Sequence, residues 1–302
     1  MKYRHAFHAG NFADVLKHVA LLALLRSLTR KDKGLLLLDT HAGRGRYDLA
    51  GSEASRSGEA ASGIETLLGM AEVWPDEIAD YLAVVRQLRR ATGLRHAYPG
   101  SPLIALAALR PQDRLTLIET QEDEHAALRQ ALREVERGAV KLAGDADSGR
   151  LPLERVTIEC ADGYARLGAW LPPIERRALV LIDPPYEDTG GDFQAAANAA
   201  RDILQRLANA VIAMWYPIKQ AKDTDAWRQR LIANLPSQAG GTPTAACTVE
   251  LWLHPRDNRV GLNGSGLLVI NPPWQFAERA RLWLPAVHAA LDPQQRGGWS
   301  VN

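Results

Sequence analysis

The stretch Ala178-Leu179-Val180-Leu181-Ile182-Asp183-Pro184-Pro185-Tyr186 carries five apolar residues without alternation, then an acid, then two prolines. A strand that is apolar at every position is buried on both faces, as in a parallel sheet covered by helices. Proline has no amide hydrogen to give the ladder, so the strand stops there and Asp183 stands at its carboxyl tip.

Similar runs lie on both sides of this one, at 35–38, 115–118, 156–158, 210–215, 247–253 and 266–270. Helical periodicity covers 11–30, 122–137, 193–208 and 224–234. The alternation predicts an α/β fold with a seven-stranded, mainly parallel, Rossmann-like sheet. A short Pro/Gly/Asn loop at 254–265 joins the last two runs, so one of them is expected to run antiparallel. Residues 51–97 open with small and polar residues. They continue with the helical spacings Ile64/Leu67/Leu68 and Ile78/Tyr81/Leu82/Val85/Leu88, without a strand pattern. The expected organisation is therefore a main domain of 1–50 with 98–302, and a small helical insertion at 51–97. Ser101-Pro102 reads as a helix start, with Ser as N-cap and Pro at the first helical position. Residues 144–152 read as a surface loop.

The 302 residues are 46% apolar and 24% charged, with two cysteines. That excludes a disordered chain, a collagen-like repeat and a disulfide scaffold. The formal charge is +1, but residues 1–50 hold nine Lys and Arg against four Asp, a balance of +5. A basic amino-terminal region suits an anionic partner, and charge alone suits a solvated helix face equally well. Cys160 and Cys247 lack neighbours at metal-ligand spacing, so no metal site is expected, and two lone thiols fit a reducing cytoplasm. The amino-terminal apolar run at 19–25 is too short to span a bilayer, and basic residues follow it. Neither a signal peptide nor a membrane span is expected.

In such sheets ligands bind beyond the carboxyl ends of the strands. Those ends carry Asp39, His41, Gly43 and Gly45; then Glu119; then Asp162 and Gly163; then Asp183, Pro184 and Tyr186; then Trp215, Tyr216 and Pro217. Asp39-Thr40-His41-Ala42-Gly43-Arg44-Gly45 allows a tight turn and close backbone approach, but it lacks the Lys-Ser/Thr of a phosphate loop. An acid at Glu119 can accept both hydroxyls of a ribose. Acids with a glycine turn and no phosphate motif suit a nucleoside cofactor without phosphate, of which S-adenosylmethionine is the obvious one. The carboxylate of Asp183 and the carbonyl of Pro184 can accept the two hydrogens of an exocyclic base amine. That would localise its lone pair and stabilise charge growing in the transition state, and Tyr186 could stack on the base. The tetrapeptide Asn271-Pro272-Pro273-Trp274 has the same form. Only 28 residues follow it, too few to complete a sheet, so it is expected to be a structural or peripheral turn.

The opening Tyr3-Arg4-His5-Ala6-Phe7-His8-Ala9-Gly10-Asn11-Phe12-Ala13-Asp14-Val15-Leu16-Lys17-His18, with the segments around Gly43, Tyr98-Pro99-Gly100-Ser101-Pro102 and Asp183, resembles the RlmJ family of bacterial 23S ribosomal RNA adenine-N6 methyltransferases. The resemblance spans essentially the whole chain, and the segment at 144–152 departs from the family pattern. It implies S-adenosylmethionine as methyl donor, a monomer, and 23S ribosomal RNA as partner. It implies cofactor contacts at His18, His41, Ser101, Glu119, Asp162, Gly163 and Asp183, with Asp183 accepting the amino hydrogens. It places Tyr3 at the substrate entrance against RNA. Tyr3, Arg4, His5 and His8 mix aromatic and basic groups, as recognition of a flipped base needs. By residue type alone, His18 and His41 read as satisfied structural histidines. Three alternatives differ in class or substrate. A DNA adenine methyltransferase would bring a larger recognition region than 51–97. A protein glutamine methyltransferase usually has Asn where Asp183 stands. A non-catalytic RNA-binding protein on this fold would not need the glycine turn, Glu119 and Asp183 together.

Overall fold

The computed structural model describes residues 5–136, 152–256, 258 and 261–302. Tyr3, Arg4 and most of the expected loop at 144–152 lie outside the described residues.

Among the described residues, ten strands form two sheets. They are β1 (Leu36–Asp39), β2 (Arg46–Asp48), β3 (Ala97–Pro99), β4 (Arg114–Glu119), β5 (Val156–Cys160), β6 (Ala178–Ile182), β7 (Val211–Ile218), β8 (Ala246–Trp252), β9 (Gly264–Ile270) and β10 (Gly298–Val301). The main sheet has eight strands in the order β10-β8-β9-β7-β6-β1-β4-β5. From β7 to β5 the neighbours pair in parallel, and β9 is antiparallel to both β7 and β8. Seven strands were expected, so the eighth, β10, is a correction. It lies antiparallel on β8 as the outermost strand and has no apolar run, because an edge strand buries little. The 28 residues after the second tetrapeptide therefore do extend the sheet.

The helices are α1 (Phe12–Thr29), α2 (Ser52–Ser57), α3 (Ile64–Gly69), α4 (Asp76–Thr92), α5 (Ser101–Ala108), α6 (Glu122–Glu136), α7 (Leu167–Trp170), α8 (Thr189–Arg206), α9 (Ala221–Ala233) and α10 (Phe276–Leu291). Alternate residues of β1 feed opposite layers. Leu35 and Leu37 join a core with α1, α4, α5 and α10, while Leu36 and Leu38 join a core with α8 and α9. α1 starts at Asn11, whose side chain accepts from the Asp14 amide at 2.9 Å. It is apolar nearly all round because α4, α5, α10 and β9 surround it.

Within 51–97, α3 and α4 form where the spacing predicts, and α2 forms in the small, polar opening, where no helical spacing was read. Ile64, Leu67, Ile78, Tyr81, Leu82, Val85 and Leu88 are fully buried in the same core as α1. No strand was expected near this segment, yet β2 and β3 pair antiparallel at its two ends, matching Tyr47 with Tyr98. The cap of α5 also differs from expectation. Gly100 is the N-cap, Ser101 is the first helical residue, and its hydroxyl donates to Asp39 Oδ2 at 2.7 Å instead of capping the helix.

Candidate active site

The chain steps outward from the central strand β1 to β4 and β5, then returns to β6 and β7 on the other side. Where that order reverses, the carboxyl ends of β1 and β6 diverge and leave a crevice. A cleft of about 800 Å³ opens there, within the range of small-molecule sites. His18, His41, Ser101, Glu119, Asp183, Pro184 and Tyr186 all line it. Asp162 and Gly163 are not part of that wall. Asp162 Oδ1 accepts the Ala165 amide at 2.9 Å. A Cβ on Gly163 would fall 2.1 Å from the Thr40 carbonyl, so the two strand-end loops touch without side chains between them.

After β1 the backbone reverses through Gly43 and Gly45, at φ +61° and +73°. A Cβ on Gly43 would meet the Tyr47 hydroxyl at 2.5 Å, and one on Gly45 would meet Leu128 at 2.8 Å. Both conformation and space therefore require glycine. The turn presents the Gly43 amide to Glu119 Oε2 at 2.8 Å, while the Gln121 amide holds Glu119 Oε1 at 2.8 Å. Burial nevertheless raises the Glu119 pKa. Asp39 is 1% exposed. Burial pushes its carboxyl up to about 7 against the hydrogen bonds from Ser101 and the His41 amide.

His18 and His41 are neutral at neutral pH. Burial pushes them down to about 3 and about 4. His18 Nδ1 pairs with the Tyr98 hydroxyl at 2.8 Å, which pairs with the Tyr81 hydroxyl at 2.9 Å. That chain links α4 of the 51–97 segment to the cleft wall. His41 Nδ1 pairs with Thr40 Oγ1 at 2.8 Å, and its ring meets Tyr164 edge-on.

Asp183 does not stand alone. Lys17 Nζ donates to its Oδ2 at 2.6 Å and lies 2.9 Å from Asp14 Oδ1. Asp14 Oδ2 in turn meets His5 Nε2 and accepts the Gly10 amide, each at 2.9 Å. Burial opposes both charges, yet the neighbouring acids hold the Lys17 ammonium well above its usual pKa, and His5 and Lys17 hold Asp14 well below. Lys17 also sits 6.0 Å from the Trp215 ring centroid. Residue-type reasoning missed this triad. The signal was there, in two opposite charges at i and i+3 among the buried residues of the first turns of α1.

Tyr186 departs from its expected role. Its φ is +51°, its ring is 2% exposed, and it packs against Phe193 and Trp215. Its hydroxyl donates to the Trp215 carbonyl at 2.7 Å. In this position it braces the Asp183 loop and has no free face for a base. The look-alike Asn271 takes a structural place. It follows β9, which runs antiparallel, so it falls at the opposite edge of the sheet, where its Nδ2 donates to the carbonyls of Ala208 and Ala210. Among the described residues, no His, Cys, Asp and Glu side chains gather as metal ligands, and no helix is long and apolar enough to cross a membrane.

A family model described as "Ribosomal RNA large subunit methyltransferase D, RlmJ" matches residues 32–150 and 146–302. Escherichia coli (strain K12) "Ribosomal RNA large subunit methyltransferase J" is 39% identical over 307 residues, covering 100% of this chain and 98% of that protein. The Haemophilus influenzae protein of the same name is 36% identical, covering 100% and 98%. Among solved structures, protein LPL1258 from Legionella pneumophila superposes with a TM-score of 0.80 at 31% identity, covering 98% of each chain.

Proposed function

Because the chain belongs to the RlmJ family of ribosomal RNA large subunit methyltransferases, we propose that it moves a methyl group from S-adenosylmethionine to the N6 amine of an adenine in 23S ribosomal RNA. The observation that carries the chemistry is Asp183, just beyond β6 on the cleft wall, with Oδ2 fixed by Lys17 and Oδ1 without a hydrogen-bond partner among the described residues.

The cleft fits the donor. Asp14, Glu119, Glu124 and Asp183 line it, a setting that favours a cationic sulfonium over a phosphate. Glu119, held by two amides at the end of β4, is placed for a ribose. The start of α5 has no side-chain cap, leaving its positive end for the amino acid carboxylate. His18, His41 and Ser101 contribute polar walls, and Asp162 and Gly163 close the neighbouring strand end. S-adenosylmethionine, when bound, supplies an electrophilic methyl group on a positively charged sulfur.

The protein must then make a poor nucleophile attack. Asp183 Oδ1 and the Pro184 carbonyl take the two N6 hydrogens and draw the amine lone pair toward the methyl carbon. The interaction strengthens as positive charge grows on nitrogen, so it favours the transition state over the ground state. Lys17 orients the carboxylate through Oδ2. When the new C–N bond has formed and the C–S bond has broken, N6 carries a surplus proton, which leaves through Asp183 Oδ1 to water.

A base reaches the cleft only by leaving its stack, at a cost of a few kcal/mol. Contacts to the RNA from Tyr3, Arg4 and the basic residues beside them, and from the 51–97 segment, offset that cost. The same reading makes the protein a cytoplasmic monomer. Methyl transfer to a 23S rRNA transcript, with N6-methyladenosine read by mass spectrometry, tests the proposal. Asp183→Ala is expected to lower turnover on the order of 10²–10³-fold, comparable to loss of one transition-state hydrogen-bonding group, while S-adenosylhomocysteine still binds. Full activity of that variant, or preference for duplex DNA, overturns it.

A further inference from the structure

Two sequence features play no part in the cleft: the cationic run Arg30-Lys31-Asp32-Lys33 and Trp274 of the second tetrapeptide. The fold brings them together. Arg30, Lys31, Arg177 and Trp274 share the wall of a second cavity, of about 410 Å³, at the edge of the sheet opposite the cleft. Leu35, just before β1, also lines this cavity, whereas His41, just beyond the other end of β1, lines the cleft. At roughly 3.3 Å per residue the two sites are about 20 Å apart through the sheet.

Trp274 is 85% exposed, an unusual place for an indole. Arg30 and Lys31 are exposed. Among the described residues, neither they nor Lys33 nor Arg177 forms an ion pair. Arg177 donates to the backbone carbonyls of Leu28 and Lys33, which hold its guanidinium in place without a direct ion pair. Tryptophan and arginine are common at protein-docking surfaces but lysine is depleted there, and here Lys31, Arg30 and Arg177 share the cavity wall with the bare indole and with no acid. This combination matches the platform that single-stranded nucleic acid uses, with a base on the ring and phosphates on the cations.

We propose that this face is a second RNA-binding surface, where an unpaired nucleotide of the same ribosomal RNA stacks on Trp274 and its flanking phosphates meet Arg30 and Lys31. The inference rests on the ribosomal RNA substrate named above. It adds that the protein grips its RNA at two places on opposite edges of the sheet.

The test compares wild type, Trp274→Ala and the double variant Arg30→Glu/Lys31→Glu on full-length 23S rRNA transcript. Each variant is expected to raise KM and Kd about tenfold, in the range of one lost base–aromatic stack, with kcat within about twofold. The charge variant is also expected to have a shallower dependence of log Kd on log salt, by about 0.7 for each single-strand phosphate it no longer neutralises. Unchanged S-adenosylhomocysteine binding by calorimetry establishes that both variants are folded. In the wild-type complex, ultraviolet cross-linking is expected to attach a nucleotide to the peptide carrying Trp274. Unchanged KM and Kd in both variants overturn the second surface while leaving the active site intact. Conversion of a wild-type dimer to monomer by Trp274→Ala, with RNA affinity unchanged, assigns the face to a second copy and also overturns it. A wild-type protein that neither binds nor methylates the transcript overturns the substrate assignment itself.

Discussion

Lys17 carries a charge into a helix whose neighbours Val15, Leu16 and Val19 are fully buried, and Asp14 and Asp183 make that tolerable. Removing one member of such a set leaves uncompensated charge in a dry site. Lys17→Met is expected to destabilise the protein by about 3–5 kcal/mol and to lower methyl transfer. Asp14→Asn in the same chain should restore part of the stability but not the activity. Urea unfolding and a turnover assay check both. His18 sets a pH dependence of definite sign. Its folded pKa, about 3, lies below its unfolded value of 6.5. The stability it contributes is therefore complete above pH 6.5 and is lost as pH falls from there toward 3, because the unfolded chain binds the proton first. His18→Asn keeps a group able to pair with the Tyr98 hydroxyl and does not titrate. Its melting temperature should decline less between pH 6.5 and 5 than that of the wild type.

At the scale of elements, direction decides what a motif does. Asp183 and Asn271 each follow an apolar strand and precede two prolines. β6 runs with the parallel set and delivers its acid to the crevice; β9 runs against β7 and delivers its amide to the far edge. The glycine turn after β1 depends on conformation in the same way. Gly45→Ala places a side chain at φ +73°, 2.8 Å from Leu128. It is expected to cost about 1–3 kcal/mol, measured by chemical denaturation. S-adenosylhomocysteine affinity should fall with it, since the turn also sets the amide that holds Glu119.

At the scale of the molecule, parts far apart in sequence complete one another. The last strand, β10, covers the edge of β8, and Ser300 Oγ donates to Glu250 Oε2 at 3.1 Å. Glu250 is fully buried and also pairs with Arg228 and Tyr216. Ending the chain after Gly297 would bare an edge strand and wet that network. The truncated protein is expected to melt several degrees lower and to aggregate on heating, as followed by calorimetry with light scattering. The 51–97 segment is likewise tied in, through Tyr81 to Tyr98 and His18.

Much of this was legible in the chain, because local rules govern it. Continuous apolar runs are what a doubly covered strand requires, so the five adjacent parallel strands could be read off. Their carboxyl tips pointed to Glu119 and Asp183, and both line the cleft at the crevice. The edge strand β10 buries too little to leave a pattern, and β2 and β3, three residues each, are too short to show a period, so neither could be read. What only the tertiary structure decided was which groups meet. Lys17 and Asp183 stand 166 positions apart, and Trp274 and Arg30 lie even farther apart along the chain. No local preference encodes such encounters; they follow from strand direction and, for Lys17 and Asp183, from the burial that forces each charge to find a partner.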